Sequence, residues 1–238
     1  MPSHEPRILP WELLVGSALD VLFPPRCIVC GRVDAWLCQG CVPRLPWLRG
    51  PTCSRCGTPL ERAGLCPRCR EAPLRLIRIH SLLLFEGPLR TAIHRFKYQH
   101  GWPLARPLGE LMANYWRTHP LPADVLVPVP LHPTRFLRRG YNQSALLAGE
   151  LGKRVGLPLD ESALQRVRAT ASQMRLKAEA RRRNVAGAFR CPDGRMEGRR
   201  VVLIDDVCTT GATLEACADA LYAGGASEVR AMTLARAP

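Results

Sequence analysis

Aliphatic runs alternate with amphipathic stretches along the last two-thirds of the chain. The short apolar runs predict buried strands, and stretches with apolar residues three or four positions apart predict helices. This pattern predicts strands at 77–85, 124–131, 163–168, 185–189, 201–204 and 228–235, with helices at 89–98, 103–116, 142–155 and 214–221. Pro128 and Pro130 should break the second of these strands into a loop past Val127. Because strands and helices alternate, the predicted fold class is α/β, a parallel sheet with helices on both faces, over residues 76–238.

The region 23–72 has a different pattern, in which cysteine dominates. Eight of the 11 cysteines form four pairs with two residues between their members: Cys27 and Cys30, Cys38 and Cys41, Cys53 and Cys56, Cys66 and Cys69. Two such pairs supply the four thiolates of one tetrahedral zinc, so the spacing predicts a double zinc ribbon with two structural Zn²⁺. Sequential pairing is favoured, and an interleaved arrangement stays open. A disulfide framework is the rival interpretation, and it would need an oxidising compartment.

Composition and charge narrow the class of protein. Net charge is +14, divided as +4 over residues 1–75 and +10 over residues 76–238. Zinc tetrathiolates would cancel the first value, which leaves the positive field on the second part and favours anionic ligands. The apolar stretch 8–23 contains Glu12 and Asp20, so we expect an amphipathic helix over 1–22 rather than a membrane span. A cytoplasmic protein is expected.

The most informative stretch is 201–214, Val-Val-Leu-Ile-Asp-Asp-Val-Cys-Thr-Thr-Gly-Ala-Thr-Leu. Asp205 and Asp206 follow four aliphatic residues, where we expect the strand to end. The loop and the helix start that come next offer free N–H groups, a glycine and hydroxyls, which suit a phosphate. The predicted phosphate ligands are Thr209, Thr210, Gly211, Ala212 and Thr213. The two carboxylates are acceptors and suit ribose hydroxyls.

This stretch resembles the phosphoribosyl-pyrophosphate (PRPP) motif of type I phosphoribosyltransferases. The resemblance implies that the loop holds the 5′-phosphate and that Asp205 and Asp206 hold the ribose. It also implies that a loop after strand 124–131 contacts pyrophosphate. Arg138, Arg139 and Lys177 are the candidates for that role, with Mg²⁺ accompanying PRPP. The polar, basic segment 169–184 is predicted to be a lid over the substrate.

A narrower resemblance covers nearly the whole chain. The motifs Leu-Phe-Pro-Pro-Arg-Cys-Ile-Val-Cys, Phe-Lys-Tyr, Val-Pro-Val-Pro-Leu, Arg-Arg-Gly-Tyr-Asn-Gln and Arg-Arg-Asn-Val-Ala-Gly-Ala-Phe occur in this order before the PRPP motif. Together they resemble the ComF family of competence-associated phosphoribosyltransferase-like proteins, which includes the GntX type. The resemblance implies a role in DNA uptake during natural transformation, with single-stranded DNA and uptake-machinery proteins as partners.

Two functions remain open at this point. The chain is either a phosphoribosyltransferase with an unknown acceptor, or a non-catalytic sensor or single-stranded DNA-binding module. The second would use the zinc ribbon and a basic surface, for which Arg55, Arg62 and Arg68 are weak candidates. Tyr141 is the main aromatic residue among the basic clusters, so a base-stacking platform is poorly supported by the sequence.

Overall fold

The computed structural model describes residues 24–99, 101–168, 185 and 187–237. The predicted helix at 1–22, the predicted lid at 169–184 and Lys177 within it lie outside the described residues. The chain divides into two compact units, of which the first ends at Arg44 and the second begins at Leu45. No helix in the described ranges combines the length and the apolar character needed to cross a bilayer.

The first unit contains the first cysteine cluster. Cys27 begins a tight turn, in which its N–H donates to the Arg32 carbonyl and its own carbonyl accepts from the Gly31 N–H, each at 2.8 Å. The chain then forms a 3-10 helix, Gln39–Arg44, that carries Cys41 on its buried side.

The second unit is built on a four-stranded parallel sheet. Six strands occur in its described residues, namely β1 (Ile79–Leu84), β2 (Val125–Pro128), β3 (Gln165–Arg166), β4 (Phe189–Arg190), β5 (Arg200–Cys208) and β6 (Glu228–Arg236). The sheet order is β1-β6-β5-β2, with every pair parallel, and β3 and β4 form a separate antiparallel pair. In the central pair Val201 lies beside Val229 and Cys208 beside Arg236. The predicted parallel α/β sheet is confirmed.

Helices cover both faces of this sheet. The α-helices in the described residues of this unit are α1 (Pro67–Glu71), α2 (Gly87–Tyr98), α3 (Ala105–Thr118), α4 (Pro133–Arg139), α5 (Gln143–Val155) and α6 (Ala212–Ala223). Side chains alternate along a strand, so neighbouring residues face opposite helices. Leu126 reaches Gly152 of α5, whereas Val127 and Leu203 belong to the core cluster that includes Leu214 of α6. The carboxyl ends of the strands therefore open between two helical layers.

The second cysteine cluster is part of the core of this unit. Cys53, Cys56 and Cys69 are almost completely buried and share one apolar cluster with residues of the sheet and α6. The Ile79 N–H at the start of β1 donates to the Arg55 carbonyl at 2.8 Å. Gly57 has φ +72°, and a Cβ there would lie 2.6 Å from the Ile79 carbonyl oxygen. The ribbon and the sheet are thus packed too closely for any side chain at position 57.

Three elements differ from the sequence predictions. The strand predicted at 201–204 continues through both acids to Cys208, because β6 pairs with it as far as Arg236. The strand predicted at 163–168 is reduced to Gln165–Arg166. The strand predicted at 185–189 survives only at its end, because the Ala188 N–H closes a turn onto the Val185 carbonyl at 3.1 Å.

Candidate functional site

The two adjacent acids near the end of β5 have different surroundings. Asp206 is 3% exposed, and its Oδ2 forms an ion pair with Lys97 Nζ at 2.5 Å. Asp205 is half-buried, and its Oδ1 accepts from the Ser144 hydroxyl at 2.8 Å and from the Asp206 N–H at 2.9 Å. Both acids line the same cavity. The Asp206 carboxylate is therefore paired with a cation, whereas the Asp205 carboxylate accepts hydrogen bonds from uncharged groups.

Burial affects the proton affinity of the less tightly paired acid. Burial, followed by the neighbouring Asp206 carboxylate, raises the pKa of Asp205 to about 7. Lys97 and the Ser144 hydroxyl act in the opposite direction. Asp205 therefore loses its proton near neutral pH. A hydroxyl that donates to Asp205, or a cation bound beside it, would favour its ionised form.

The loop after β5 turns sharply into α6. Gly211 is the N-cap of α6 and has φ +79°, a left-handed conformation that favours glycine. The Ala212 N–H donates to the Thr210 hydroxyl at 3.4 Å, and the Glu215 N–H donates to the Gly211 carbonyl at 2.9 Å. Thr209 and Thr213 line the cavity that holds the two acids. The start of α6 therefore lies at the same cavity as the carboxylates, and its partial positive charge suits an anion.

The cavity at the carboxyl ends of the strands has a volume of about 630 Å³. Five of its lining side chains are cationic, namely Lys97, Arg135, Arg138, Arg139 and Arg166. The guanidinium groups of Arg138 and Arg139 stand 6.0 and 5.2 Å from the centre of the Tyr98 ring. Against two carboxylates, five cations leave a positive pocket that suits a phosphorylated ligand.

The eight predicted zinc ligands form two groups in sequential order. Cys27, Cys30, Cys38 and Cys41 make one group, and Cys53, Cys56, Cys66 and Cys69 make the other, with all sulfurs of a group within 4.8 Å of one another. Sulfurs at about 2.3 Å from a tetrahedral Zn²⁺ would lie about 3.8 Å apart. The Cys30–Cys38 and Cys56–Cys66 sulfur distances are 3.8 and 3.7 Å. Both groups therefore fit structural zinc, and the sequential pairing is the one observed.

Backbone amides prepare one sulfur in each group for metal. Burial raises the pKa of the Cys53 thiol, but hydrogen bonds from the N–H groups of Cys66, Cys56 and Arg55 outweigh it and bring the pKa down to about 6. The same balance of burial against backbone donors lowers the pKa of Cys27 to about 6. A zinc ligand must be a thiolate, so these knuckle amides favour the metal-binding state.

Comparisons with known proteins agree with this architecture. The double zinc ribbon domain family matches residues 18–70, and the phosphoribosyl transferase domain family matches residues 141–238. The DNA utilization protein YhgH of Salmonella typhi is 36% identical over 224 residues, which cover 90% of this chain and 97% of that protein. Competence protein F of Haemophilus influenzae is 34% identical, with 89% and 97% covered. The chain belongs to the ComF family.

The fold of this ComF-family chain also matches solved structures at a distance. The glutamine PRPP amidotransferase of B. subtilis, complexed with ADP and GMP, is 23% identical over 56% of this chain and 26% of that one. Its TM-score is 0.40, so this match supports no inference about ligands.

Most candidate site residues of this ComF-family chain meet at one cavity. Asp205, Asp206, Thr209 and Thr213 line it together with Arg138 and Arg139. The Thr210 carbonyl instead accepts from the Arg68 guanidinium. Gly211 and Ala212 are buried at the turn and are not among the residues that line this cavity.

Lys97 and Ser144 are site residues that the sequence reasoning missed. Lys97 pairs with Asp206, and Ser144 donates to Asp205. Both lie at helix ends, Lys97 in the last turn of α2 and Ser144 in the first turn of α5. Two motifs in the sequence could have indicated these residues. Phe-Lys-Tyr, which contains Lys97, ends one predicted helix, and Tyr-Asn-Gln-Ser, which contains Ser144, begins another.

Tyr98 and Tyr141 both lie beside Arg138 and Arg139, and the two guanidinium groups stand over the Tyr98 ring. Tyr141 donates its hydroxyl to the Phe96 carbonyl, whereas Tyr98 is half exposed beneath two arginines. His132 is the N-cap of α4, and its Nδ1 accepts from the Thr134 N–H at 3.3 Å.

Proposed function

We propose that this ComF-family chain binds PRPP, or another ligand with a ribose 5-phosphate group, in the cavity at the carboxyl ends of β2 and β5. This proposal rests on the observation that two acids, three threonines (Thr134, Thr209 and Thr213) and five cations line one cavity. The phosphate would bind the loop 209–213, and the ribose hydroxyls would donate to Asp205 and Asp206. Arg138 and Arg139 would neutralise a pyrophosphate, with Lys177 as a further candidate.

A transferase activity is the first form of the proposal. Displacement of pyrophosphate from C1 of ribose requires positioning of the sugar and stabilisation of the leaving charge. Asp205 and Asp206 are the carboxylates that line the described cavity, and Asp206 is already paired with Lys97. Most ligands of a Mg²⁺ ion would therefore come from the pyrophosphate and water, as is usual for this ion. The arginines supply the remaining positive charge.

The biological context follows from the relatives. Relatives named competence protein F and ComFC, at 34% and 28% identity, support a role in DNA uptake, with single-stranded DNA and uptake-machinery proteins as partners. The arrangement of eight thiols as zinc ligands supports a reducing compartment such as the cytoplasm.

A non-catalytic DNA-binding module is the second candidate. It is favoured by one observation, the exposed Tyr98 ring with Arg138 and Arg139 over it at the edge of the cavity. A base could stack there while its phosphates meet the arginines. Under this alternative the pocket would hold a nucleotide unit without releasing pyrophosphate.

The test uses calorimetric titration with two ligands that differ only by the sugar. In the Asp205→Asn/Asp206→Asn variant, ribose 5-phosphate should bind at least tenfold more weakly, because each charged carboxylate acceptor is replaced by an uncharged amide with a single acceptor oxygen. Inorganic phosphate should bind equally well or more tightly, because removing two negative charges favours any anion. The exposed pair Asp193→Asn/Glu197→Gln changes the net charge equally and serves as the control.

The outcomes separate the candidates. If the double variant binds both ligands as the wild type does, the proposed ribose site is wrong. Pyrophosphate release from PRPP and Mg²⁺ in a screen of nucleobases and amines identifies an enzyme. Ribose 5-phosphate binding without release, together with single-stranded DNA binding that Tyr98→Ala abolishes, identifies the binding module.

A further inference from the structure

The second cysteine cluster and the loop 208–213, here called the phosphate loop, are joined by two arginines. One arginine comes from the ribbon and contacts the loop, and the other ends the sheet and contacts both. Arg68 lies in α1 between two ligand cysteines, and Arg236 is the last residue of β6. Neither has a role in the ligand contacts proposed above.

Arg236 is a buried cation at the junction. It is 4% exposed, and its Nη1 donates to the Cys56 carbonyl and to Cys208 Sγ, each at 2.8 Å. Its Nη2 donates to the Thr58 hydroxyl, which lies 3.1 Å from Cys56 Sγ. Cys56 is a ligand of the second cluster, and Cys208 is the first residue of the phosphate loop. The Arg236 side chain therefore contacts both the second cysteine cluster and the start of the phosphate loop, and it fixes the distance between them.

A buried guanidinium needs compensating negative charge, and the second cluster offers it. Among the described residues, Arg236 forms no ion pair with a carboxylate, and its Nε has no hydrogen-bond partner. Four thiolates around one Zn²⁺ carry a net charge of about −2. With the metal bound, Arg236 lies beside an anionic centre, and loss of the metal would remove that compensation.

Arg68 fixes the orientation of a peptide within the phosphate loop. Its Nη1 donates to the Thr210 carbonyl, across 142 positions of sequence. Because a trans peptide is planar, the Gly211 N–H must point in the opposite direction from the Thr210 carbonyl. The loop amide that follows Thr210 is therefore oriented by a residue of the metal ribbon.

We infer that the second zinc cluster positions the phosphate loop through Arg236 and Arg68, so that metal in this cluster and an anion on the loop stabilise each other. Coupling between two sites is reciprocal, and values of about 5- to 150-fold in affinity are typical. The reciprocal part rests on the proposed function, whereas the positioning of the empty loop does not. Arg68 and Arg236 are thus positioning residues.

Hydrogen–deuterium exchange of the zinc-loaded full chain, measured peptide by peptide, tests the inference. Arg68→Gln and Thr58→Val leave every zinc ligand in place, and each should speed exchange in peptides covering 208–214 by about tenfold. Arg236→Met should do the same in 208–214 and in 53–58. The matched controls are Arg62→Gln, at an exposed arginine of the ribbon, and Arg230→Met, at a half-buried arginine of β6 that pairs with Glu228. If 208–214 exchanges as in the wild type in all three variants, the inference is overturned.

A second arm measures the reciprocal effect. Ribose 5-phosphate should slow exchange in 53–58 of the wild type, and this protection should disappear in Arg68→Gln and Thr58→Val. If ligand binds but leaves 53–58 unchanged in the wild type, the coupling is wrong. If ribose 5-phosphate does not bind at all, the proposed function fails, and the variant effects on the unliganded loop still decide the positioning role.

Discussion

At the scale of single residues, the site depends on how two neighbouring carboxylates are compensated. Asp206 lies inside the protein and faces a lysine, whereas Asp205 relies on neutral donors and on partial solvent access. The two acids therefore differ in what they contribute to stability and in how they respond to pH, although the sequence presents them as an equivalent pair.

The ion pair of Lys97 with Asp206 should stabilise the fold measurably. Lys97→Met should lower the free energy of unfolding by about 3 kcal/mol, because it leaves a buried carboxylate without a partner. Lys97→Met/Asp206→Asn should cost less than the two single changes added together. Urea unfolding with zinc present measures these values. Lys153→Met, which removes an exposed partner of Glu150, should cost less than about 1 kcal/mol. A loss for Lys97→Met as small as that of Lys153→Met would contradict the prediction.

Asp205 should make the protein less stable as pH rises toward neutrality. Its pKa is raised to about 7 in the folded state, from an ordinary value of 3.8. Between these values the folded chain holds a proton that the unfolded chain has lost, so stability falls as pH increases. Asp205→Asn removes this dependence and should become progressively more stable relative to the wild type from pH 5 to pH 8. Urea unfolding at several pH values tests this, and a difference that stays constant with pH would exclude it.

At the scale of elements, the turn from β5 into α6 requires a glycine for its backbone. Gly211 has φ +79°, and a Cβ there would lie 3.1 Å from Ile79 Cδ1. Gly194 has a similar φ of +68° but open space around it, and it lies in a different turn. Substitutions at the two positions can therefore distinguish the stability cost of a left-handed backbone from an effect on ligand binding by the loop.

Gly211→Ala should weaken ligand binding, whereas Gly194→Ala should not. Each change places a Cβ in a left-handed conformation and should cost about 1–2 kcal/mol of stability. Only Gly211→Ala moves the amides at the start of α6, so it alone should reduce ribose 5-phosphate affinity, by roughly tenfold. Thermal unfolding and calorimetric titration of both variants provide the comparison. Equal binding by the two variants would mean that the phosphate does not use this turn.

The same elements show what the sequence could predict. The aliphatic run before Asp205 and the apolar spacing after Gly211 define strand, turn and helix within one segment, because both periodicities are local. The end of β5 was misjudged because it is set by pairing with β6, a partner absent from the local pattern. Lys97 was missed because its pairing with Asp206 spans more than 100 residues. Contacts of this kind depend on the tertiary fold and cannot be predicted from the local spacing of apolar and polar residues.

At the scale of the whole molecule, the zinc ribbon is divided between two compact units. The boundary between Arg44 and Leu45 lies between the two cysteine clusters, so the second cluster belongs to the unit that holds the sheet. The sequence alone suggested a ribbon at 23–72 followed by a separate domain from 76. Arg55 and Arg68, considered there as exposed nucleic-acid contacts, instead donate to Leu74 and Leu76 carbonyls and to the Thr210 carbonyl.

Removal of zinc should therefore destabilise the sheet as well as the ribbon. The zinc-loaded chain should contain two zinc ions by elemental analysis, and Cys66→Ala should contain one. In Cys66→Ala the main thermal transition should fall by several degrees, because the three remaining buried sulfurs of this cluster lose the ion that would hold them together. A transition at an unchanged temperature in a variant that has lost one zinc would show that the second cluster is energetically independent of the sheet.

The proposed site for a sugar phosphate is the turn from β5 into α6. A crystal structure of the zinc-loaded chain grown with saturating ribose 5-phosphate would locate the bound ligand. We expect phosphate density against the Thr209–Thr213 turn, with the 2′ and 3′ hydroxyls within hydrogen-bonding distance of Asp205 and Asp206. Density at another surface, or an empty cavity at ligand concentrations that saturate calorimetric binding, would contradict it.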